Sequence, residues 1–306
     1  MKKLLFASLF AMMTLGIQAQ MKTIQPKYHV GDHAVYQYES TTTLTAESPV
    51  TVKISYKEDY TVREQDANGT VIDLVKKDVK VEGADDNIMV QLMTLGQEFI
   101  DGVTFKLKTD ATGKIIDIVN KDEISAHLNG KADEAATQLL AKMPQLAEAA
   151  GKEELKEQLL EQMSNEALLN GFQNNPNIFA LNGKTLMTGT VDSYETQMGM
   201  KMNRLFMVKG NQVKSSGTLN LSKDELKELI LSQVPEEQAE MVRQNIDLIL
   251  NSGQIKAEMK EDATYDYLDN GWVSSITVEE TADLMGQKQN GTTKVTLLEH
   301  TFGKNA

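Results

Sequence analysis

Residues 51–63 read TVKISYKEDYTVR. Val52, Ile54, Tyr56 and Tyr60 fall on one parity, and the residues between them are mostly polar. A period of two places alternate side chains on one face, so this stretch is a half-buried strand. Asn68-Gly69 follows, a strong hairpin signal, and residues 71–81 return as the partner strand. Upstream, Tyr28 to Thr45 turns at Gly31-Asp32 and continues through Val35, Tyr36 and Tyr38. Downstream, Asp101-Gly102 marks another turn, and Val103–Thr109 and Lys114–Val119 flank Thr112-Gly113 as a further hairpin.

The period changes at Asn120. Asn120 with Glu123 has the spacing of a capping box, predicting a short helix to Leu128 that stops at Asn129-Gly130. Ala132–Ala149 is predicted helical, with a break before Pro144. Lys152–Leu169 is predicted as one helix, with Leu155, Leu159, Met163 and Ala167 on one side. Strand character resumes from Lys184 to Leu221. Ser222 and Glu225 open a helix, and Pro235 suits the first turn of the next. Three strand-like runs close the chain: Gln254–Leu268, Trp272–Glu280 and Thr292–Phe302, with turns expected at Asn270-Gly271 and Asn290-Gly291. Antiparallel strands with one apolar face need a cover, and the central amphipathic helices supply it. The expected fold is α+β: a large curved antiparallel sheet, or half-barrel, with helices on its concave face.

Lys2 and Lys3 precede an uncharged stretch, residues 4–17, which exits through Ile17-Gln18-Ala19. This is the pattern of a secretory leader, expected over 1–19, and the stretch is short for a membrane span. Residues 20–306 are then expected as a single α+β domain. Phe105–Glu123 and Tyr265–Glu280 look alike, which allows two related halves, 20–175 and 176–306. The chain has no cysteine, which rules out a disulfide framework, thiol catalysis and a lipidated N-terminal cysteine. The net charge of −13, with 44 acidic residues spread along the chain, disfavours nucleic acid as a partner. Location in the periplasm or outside the cell is the expectation, with no membrane-spanning segment in the mature chain.

No phosphate loop, nucleotide fingerprint, nucleophile elbow or zinc-protease motif occurs, so no enzyme activity and no cofactor are expected. His29 and His33 flank a turn and have no obvious third ligand. Asp262, Asp266 and Asp269, and the pair Asp85-Asp86, lack the spacing of a calcium loop. Met198, Met200 and Met202 alternate in QMGMKMN. On a strand they share a face, where adaptable thioethers suit core packing, the lining of an apolar pocket, or Cu(I). Pairing that face with the apolar sides of the helices gives the expected ligand lining: Met198, Met200, Met202, Leu205, Met143, Leu159 and Met163.

Tyr28-His29-Val30-Gly31-Asp32 with Tyr36-Gln37-Tyr38, and Asp110 to Ile115 leading into Asn120-Lys121-Asp122-Glu123, resemble uncharacterised secreted proteins of Bacteroides-type gut bacteria. That resemblance brings no functional residues with it. The expected architecture is also similar in outline to the LolA/LolB and LppX lipoprotein carriers. The leading functional expectation is a non-enzymatic exported protein that binds a lipid, acyl chain or other apolar small molecule between sheet and helices. The alternative is a structural or interaction protein with a filled core that meets a protein partner or glycan at its surface. A hydrolase using paired carboxylates is a third reading.

Overall fold

A computed structural model describes residues 21–45, 49–84, 88–142, 151–195, 201–233, 257–284 and 287–303, together with Val242, Ile246 and Leu250. Strands β1 (Met21–Thr23) and β7 (Thr185–Met187) form a small two-stranded sheet. The main sheet is wholly antiparallel and has eleven strands: β2 (His33–Thr45), β3 (Val50–Asp66), β4 (Gly69–Glu82), β5 (Thr104–Thr109), β6 (Ile115–Ile118), β8 (Val191–Glu195), β9 (Lys201–Lys209), β10 (Gln212–Asn220), β11 (Ala257–Tyr267), β12 (Val273–Leu284) and β13 (Gln287–Thr301). Their spatial order is β6-β5-β4-β3-β2-β13-β12-β11-β10-β9-β8. Two meanders thus meet at the centre, where the first long strand pairs with the last. The sheet is open, with β6 and β8 as its edges. A twisted sheet of this width curves, and the helices cover its concave side.

Helices α1 (Ile88–Ile100), α2 (Lys121–Lys142), α3 (Lys152–Gln162) and α4 (Asn165–Asn174) lie between β4 and β7 in sequence, with β5 and β6 inserted after α1. Phe99 of α1, Ile124, Leu128 and Ala132 of α2, and Leu168 and Phe172 of α4 join the same core as Tyr36, Tyr60, Ile72 and Leu107 of the sheet. Helix α5 (Lys223–Gln233) builds a smaller cluster in which Leu226 packs with Ile246 and Leu250.

The hairpin signals at Asn68-Gly69, Thr112-Gly113 and Asn270-Gly271 stand at chain reversals. Glycine at 69 is required by a close approach: a Cβ there would lie 1.9 Å from the Thr109 carbonyl oxygen. The box at Ser222 is reciprocal, with Glu225 N–H donating to Ser222 Oγ at 3.3 Å and Ser222 N–H to Glu225 Oε2 at 2.8 Å.

Three local expectations need correction, and one helix was missed. Asn290-Gly291 is not a turn but sits inside β13, where pairing to both neighbours carries the strand through. The helix from residue 121 does not stop at Gly130; it runs to Lys142 with Leu128, Ala132 and Ala135 continuously buried. Conversely, 152–169 is two helices, because Ser164 caps a new one by accepting from Ala167 N–H at 3.3 Å. Helix α1 was not foreseen; Val90, Leu95 and Phe99 are its buried residues. The two similar hairpins occupy different places: β5–β6 lies at an edge, whereas β11–β12 is flanked by β10 and β13. The leader 1–19, Asp85-Asp86, the Pro144 break and the helix start at Pro235 fall outside the described residues.

Candidate binding site

The register of the central strands decides what the concave face carries. Tyr38 faces Tyr56, Tyr36 faces Glu58 and Ala34 faces Tyr60 across β2–β3. Glu58 in turn faces Lys76 on β4, and Ser40 faces Thr293 on β13. The alternation that makes β3 amphipathic therefore also aims Glu58 inward, among tyrosines. The β4 register shifts between Ser55 and Lys57, and Asp78 takes a positive φ of 56° there. Bulges of this kind re-aim side chains. Here Asp78 turns outward to Lys57, 2.8 Å away, while Lys76 stays beside Glu58.

Below this level the concave face is closed. Tyr36 and Tyr60 are fully buried and meet edge to face at 5.7 Å, and the Tyr36 hydroxyl donates to Val273 O at 2.7 Å. Phe179, from the buried run Ile178–Asn182, packs edge-on against Tyr60 at 5.6 Å. Above it the face opens where β2 and β13 carry the small side chains of Ser40 and Thr293, whose hydroxyls bond each other at 3.1 Å. Helix α4 bridges this gap without filling it. The result is a cleft of about 470 Å³, with Tyr38, Ile54, Tyr56, Leu168 and Phe172 among its walls. Glu58, Gln97 and the Asn175–Asn177 segment supply polar groups. That volume lies in the usual range for small-molecule sites.

The polar end of the cleft has a specific arrangement. Tyr38 and Tyr56 stack at 4.9 Å with their planes 9° apart. The Lys76 ammonium lies 3.6 Å from the Tyr56 ring centre and donates to Gln97 Oε1 at 3.3 Å. The Tyr60 hydroxyl donates to Glu58. Tyr38 lines the cleft, and its hydroxyl is buried and lacks a well-formed hydrogen bond among the described residues. Burial pushes the Glu58 carboxyl above its ordinary 4.5, against the opposing pull of Lys76, Tyr60 and Tyr38. Burial likewise pulls the Lys76 ammonium down, with Glu58 and Asp101 opposing.

A pH test follows. The folded state holds the Glu58 proton at pH values where the unfolded chain has released it. Its carboxyl therefore favours folding most below the unfolded value, and stability falls as pH rises toward the folded value. Glu58→Gln removes this dependence. Urea midpoints of the native protein and of Glu58→Gln, taken from pH 4 to pH 8, should diverge in favour of the variant as pH rises. Parallel profiles would mean that Glu58 is as easily ionised folded as unfolded.

A second polar group lies inward at the other end of the sheet. Arg204, Gly217, Glu261 and Glu280 are successive cross-strand neighbours on β9, β10, β11 and β12. Arg204 and Glu261 are 3% and 2% exposed. The Arg204 guanidinium stacks 4.0 Å over Tyr194, whose hydroxyl donates to Glu261 Oε2 at 2.8 Å. Arg204 Nε and Nη1 and Glu261 Oε1 have no hydrogen-bond partner among the described residues.

The residues expected to line a ligand site are not brought together. Met202 is fully buried, but it packs with Leu219, Tyr194, Leu221 and Met259. Leu159 and Met163 pack on the main core, with Leu159 also touching Leu95 and Leu139. Leu205 is corrected to the opposite, outer face of β9, because it is an odd number of residues from Met202; it is 47% exposed. Met143, Met198 and Met200 lie outside the described residues. Leu168, Phe172 and Tyr38 were not singled out as lining. The available signal was Glu58, one charged residue on the apolar parity of its strand.

His33 Nε2 lies 2.8 Å from Asp59, while His29 lies 3.5 Å from Asp32. Among the described residues no group of three or more His, Asp or Glu could hold a metal, and no helix is long and apolar enough to cross a membrane.

No family model matches the chain, and no curated protein matches it. Among solved structures, a lipovitellin structure described by its lipid–protein interactions aligns with 92% of this chain at 9% identity and a TM-score of 0.42. The chain spans about a quarter of that protein, 26% of its length. An outer membrane channel from Pseudomonas putida F1 aligns over 90% of this chain and 98% of its own, at 6% identity and a TM-score of 0.28.

Proposed function

We propose that this chain is a non-enzymatic binding protein of the cell envelope or its surroundings, taking an apolar ligand such as a lipid or acyl chain between sheet and helices. The observation that carries the reading is the cleft of about 470 Å³ walled by Tyr38, Ile54, Tyr56, Leu168 and Phe172. Each Å² of apolar ligand surface buried there contributes roughly 25 cal/mol, so contact with these walls supplies affinity without any reaction. The leader-like start of the chain supports export. The apolar ligand expected from sequence is retained, and its site moves from the methionine strand to the tyrosine strands.

Uptake of a neutral, environment-sensitive dye tests this, together with native mass spectrometry of the purified protein for retained ligand. Gly171 lines the cleft from α4, and a Cβ there would meet nothing closer than 3.8 Å. Gly171→Phe is expected to fill the space and weaken dye binding at least about ten-fold, a loss of about 1.4 kcal/mol. Failure of the native protein to take up dye or retain any mass would end the reading. Unchanged binding by the folded variant would place the site elsewhere.

The alternative, a surface that meets a partner, has its own observation. On the outer face at the β8 edge, Val191 stands directly opposite Leu205, and both are exposed together with Met207. Exposed apolar groupings of this kind mark contact surfaces in many proteins.

A further inference from the structure

The polar end of the cleft also specifies what kind of head group a ligand would carry. We infer that the ligand has a carboxylate head, received by the Tyr38 hydroxyl beside the Glu58–Lys76 pair, with its apolar body along Ile54, Leu168 and Phe172. This rests on the binding reading above and narrows it to a class of ligand.

Three observations carry it. First, Tyr38 lines the cleft at 6% exposure, and its buried hydroxyl has no well-formed hydrogen bond among the described residues. A buried phenol left unpaired is costly, and a ligand acceptor placed there removes that cost. Second, Lys76 has no carboxylate within 4.0 Å among the described residues, although it is cross-strand to Glu58. Its ammonium is held instead by the Tyr56 ring and Gln97, and both of these residues line the cleft. With Lys76 charged, the Glu58–Lys76 pair carries a formal charge of zero or plus one, according to whether Glu58 holds its proton. When Glu58 holds its proton, Lys76 carries the one formal charge of the pair, which a carboxylate head balances and an ammonium head repeats. A protonated Glu58 also has a hydrogen to donate, so phenol and carboxyl both become donors toward an anion. Third, Ile54, Leu168 and Phe172 give the cleft an apolar side, and a long apolar body attached to one small charged head matches that division. An uncharged ester could fill the same wall, but it leaves Lys76 unbalanced.

Three probes of equal chain length separate the possibilities: dodecanoate, methyl dodecanoate and dodecylammonium, each kept below its micelle-forming concentration. Binding to the full chain is measured at pH 7 by competition against the neutral dye. Dodecanoate is expected to bind at least about ten-fold more tightly than the ester, in keeping with the strength of charge-assisted hydrogen bonds. The ammonium should bind weakest. Lys76→Met should erase most of the preference for acid over ester while leaving ester binding within about two-fold, which also reports that the variant is folded. Tyr38→Phe, which removes only a hydroxyl, is the second variant and should weaken the acid selectively. Equal binding of acid and ester, tighter binding of the ammonium, or equal losses for acid and ester in both variants would overturn the carboxylate assignment and leave the cleft as a binding site. If none of the three probes binds, the assignment and the binding reading fall together.

Discussion

Replacing Phe179 by alanine is expected to lower unfolding stability by about 4 kcal/mol, within the range for deleting a buried aromatic ring. Phe179 is 4% exposed and lies in a run, Ile178 to Asn182, that is buried throughout. The Asn177 side chain fixes its approach by accepting from Phe179 N–H at 2.7 Å, so the backbone resists collapsing into the space left behind. The ring props Tyr60 from below, and Tyr60 forms part of the cleft wall and donates to Glu58. The loss should therefore fall near the upper part of the range, because a cavity that cannot close keeps its full cost. Urea denaturation measures it. Phe179→Leu, which keeps most of the volume, should cost less than about 1.5 kcal/mol. A loss below 1 kcal/mol for the alanine variant would show that this run is not a fixed part of the core.

Strand alternation made the sheet legible. Val52, Ile54, Tyr56 and Tyr60 give β3 its inward face, and the glycine turns at 69, 113 and 271 mark where neighbouring strands reverse. The pairing of β2 with β13 was not legible, since it joins segments from opposite ends of the chain and no local pattern encodes it. Asn290-Gly291 misled for the same reason: the preference of a dipeptide for a turn is weak against ladder bonds on both sides. Helix α1 escaped notice because IMVQLMTLGQEFI is a short, mostly apolar run with a glycine at 96, and such a run is not told from a buried strand by its period alone. The site was misplaced by reading the methionines as a group. Met202 does face inward, but its thioether lies 3.1 Å from the Tyr194 hydroxyl and is enclosed by its own small cluster. Glu58 carried the better signal. A carboxyl on an apolar parity must be neutralised, protonated or paired, and each of those outcomes marks a specialised environment.

The same rule applied to Arg204 yields the second large effect. Arg204→Met should destabilise the fold by about 3 kcal/mol, the low end of the cost of leaving a buried charge uncompensated. The low end is expected because Arg204 Nε and Nη1 are already without partners among the described residues and the Asp192 carboxylate is 3.9 Å away, so the native geometry is short of ideal. The cost arises chiefly at Glu261. Burial already raises its carboxyl, Arg204 and Tyr194 pull it down, and Asp262 opposes them. Without Arg204 the carboxyl rises further, so the folded variant holds its proton over a wider pH range than the native protein does. Stability of Arg204→Met relative to the native protein should therefore improve as pH falls from 8 to 5, because protonation removes the uncompensated charge. Arg204→Met combined with Glu261→Met should cost less than the sum of the two single changes by at least about 1.5 kcal/mol, since neither charge then remains buried alone. Additive single and double losses, with no pH dependence, would show that Arg204 and Glu261 do not compensate each other. Arg204 would then be held by its stacking on Tyr194 alone.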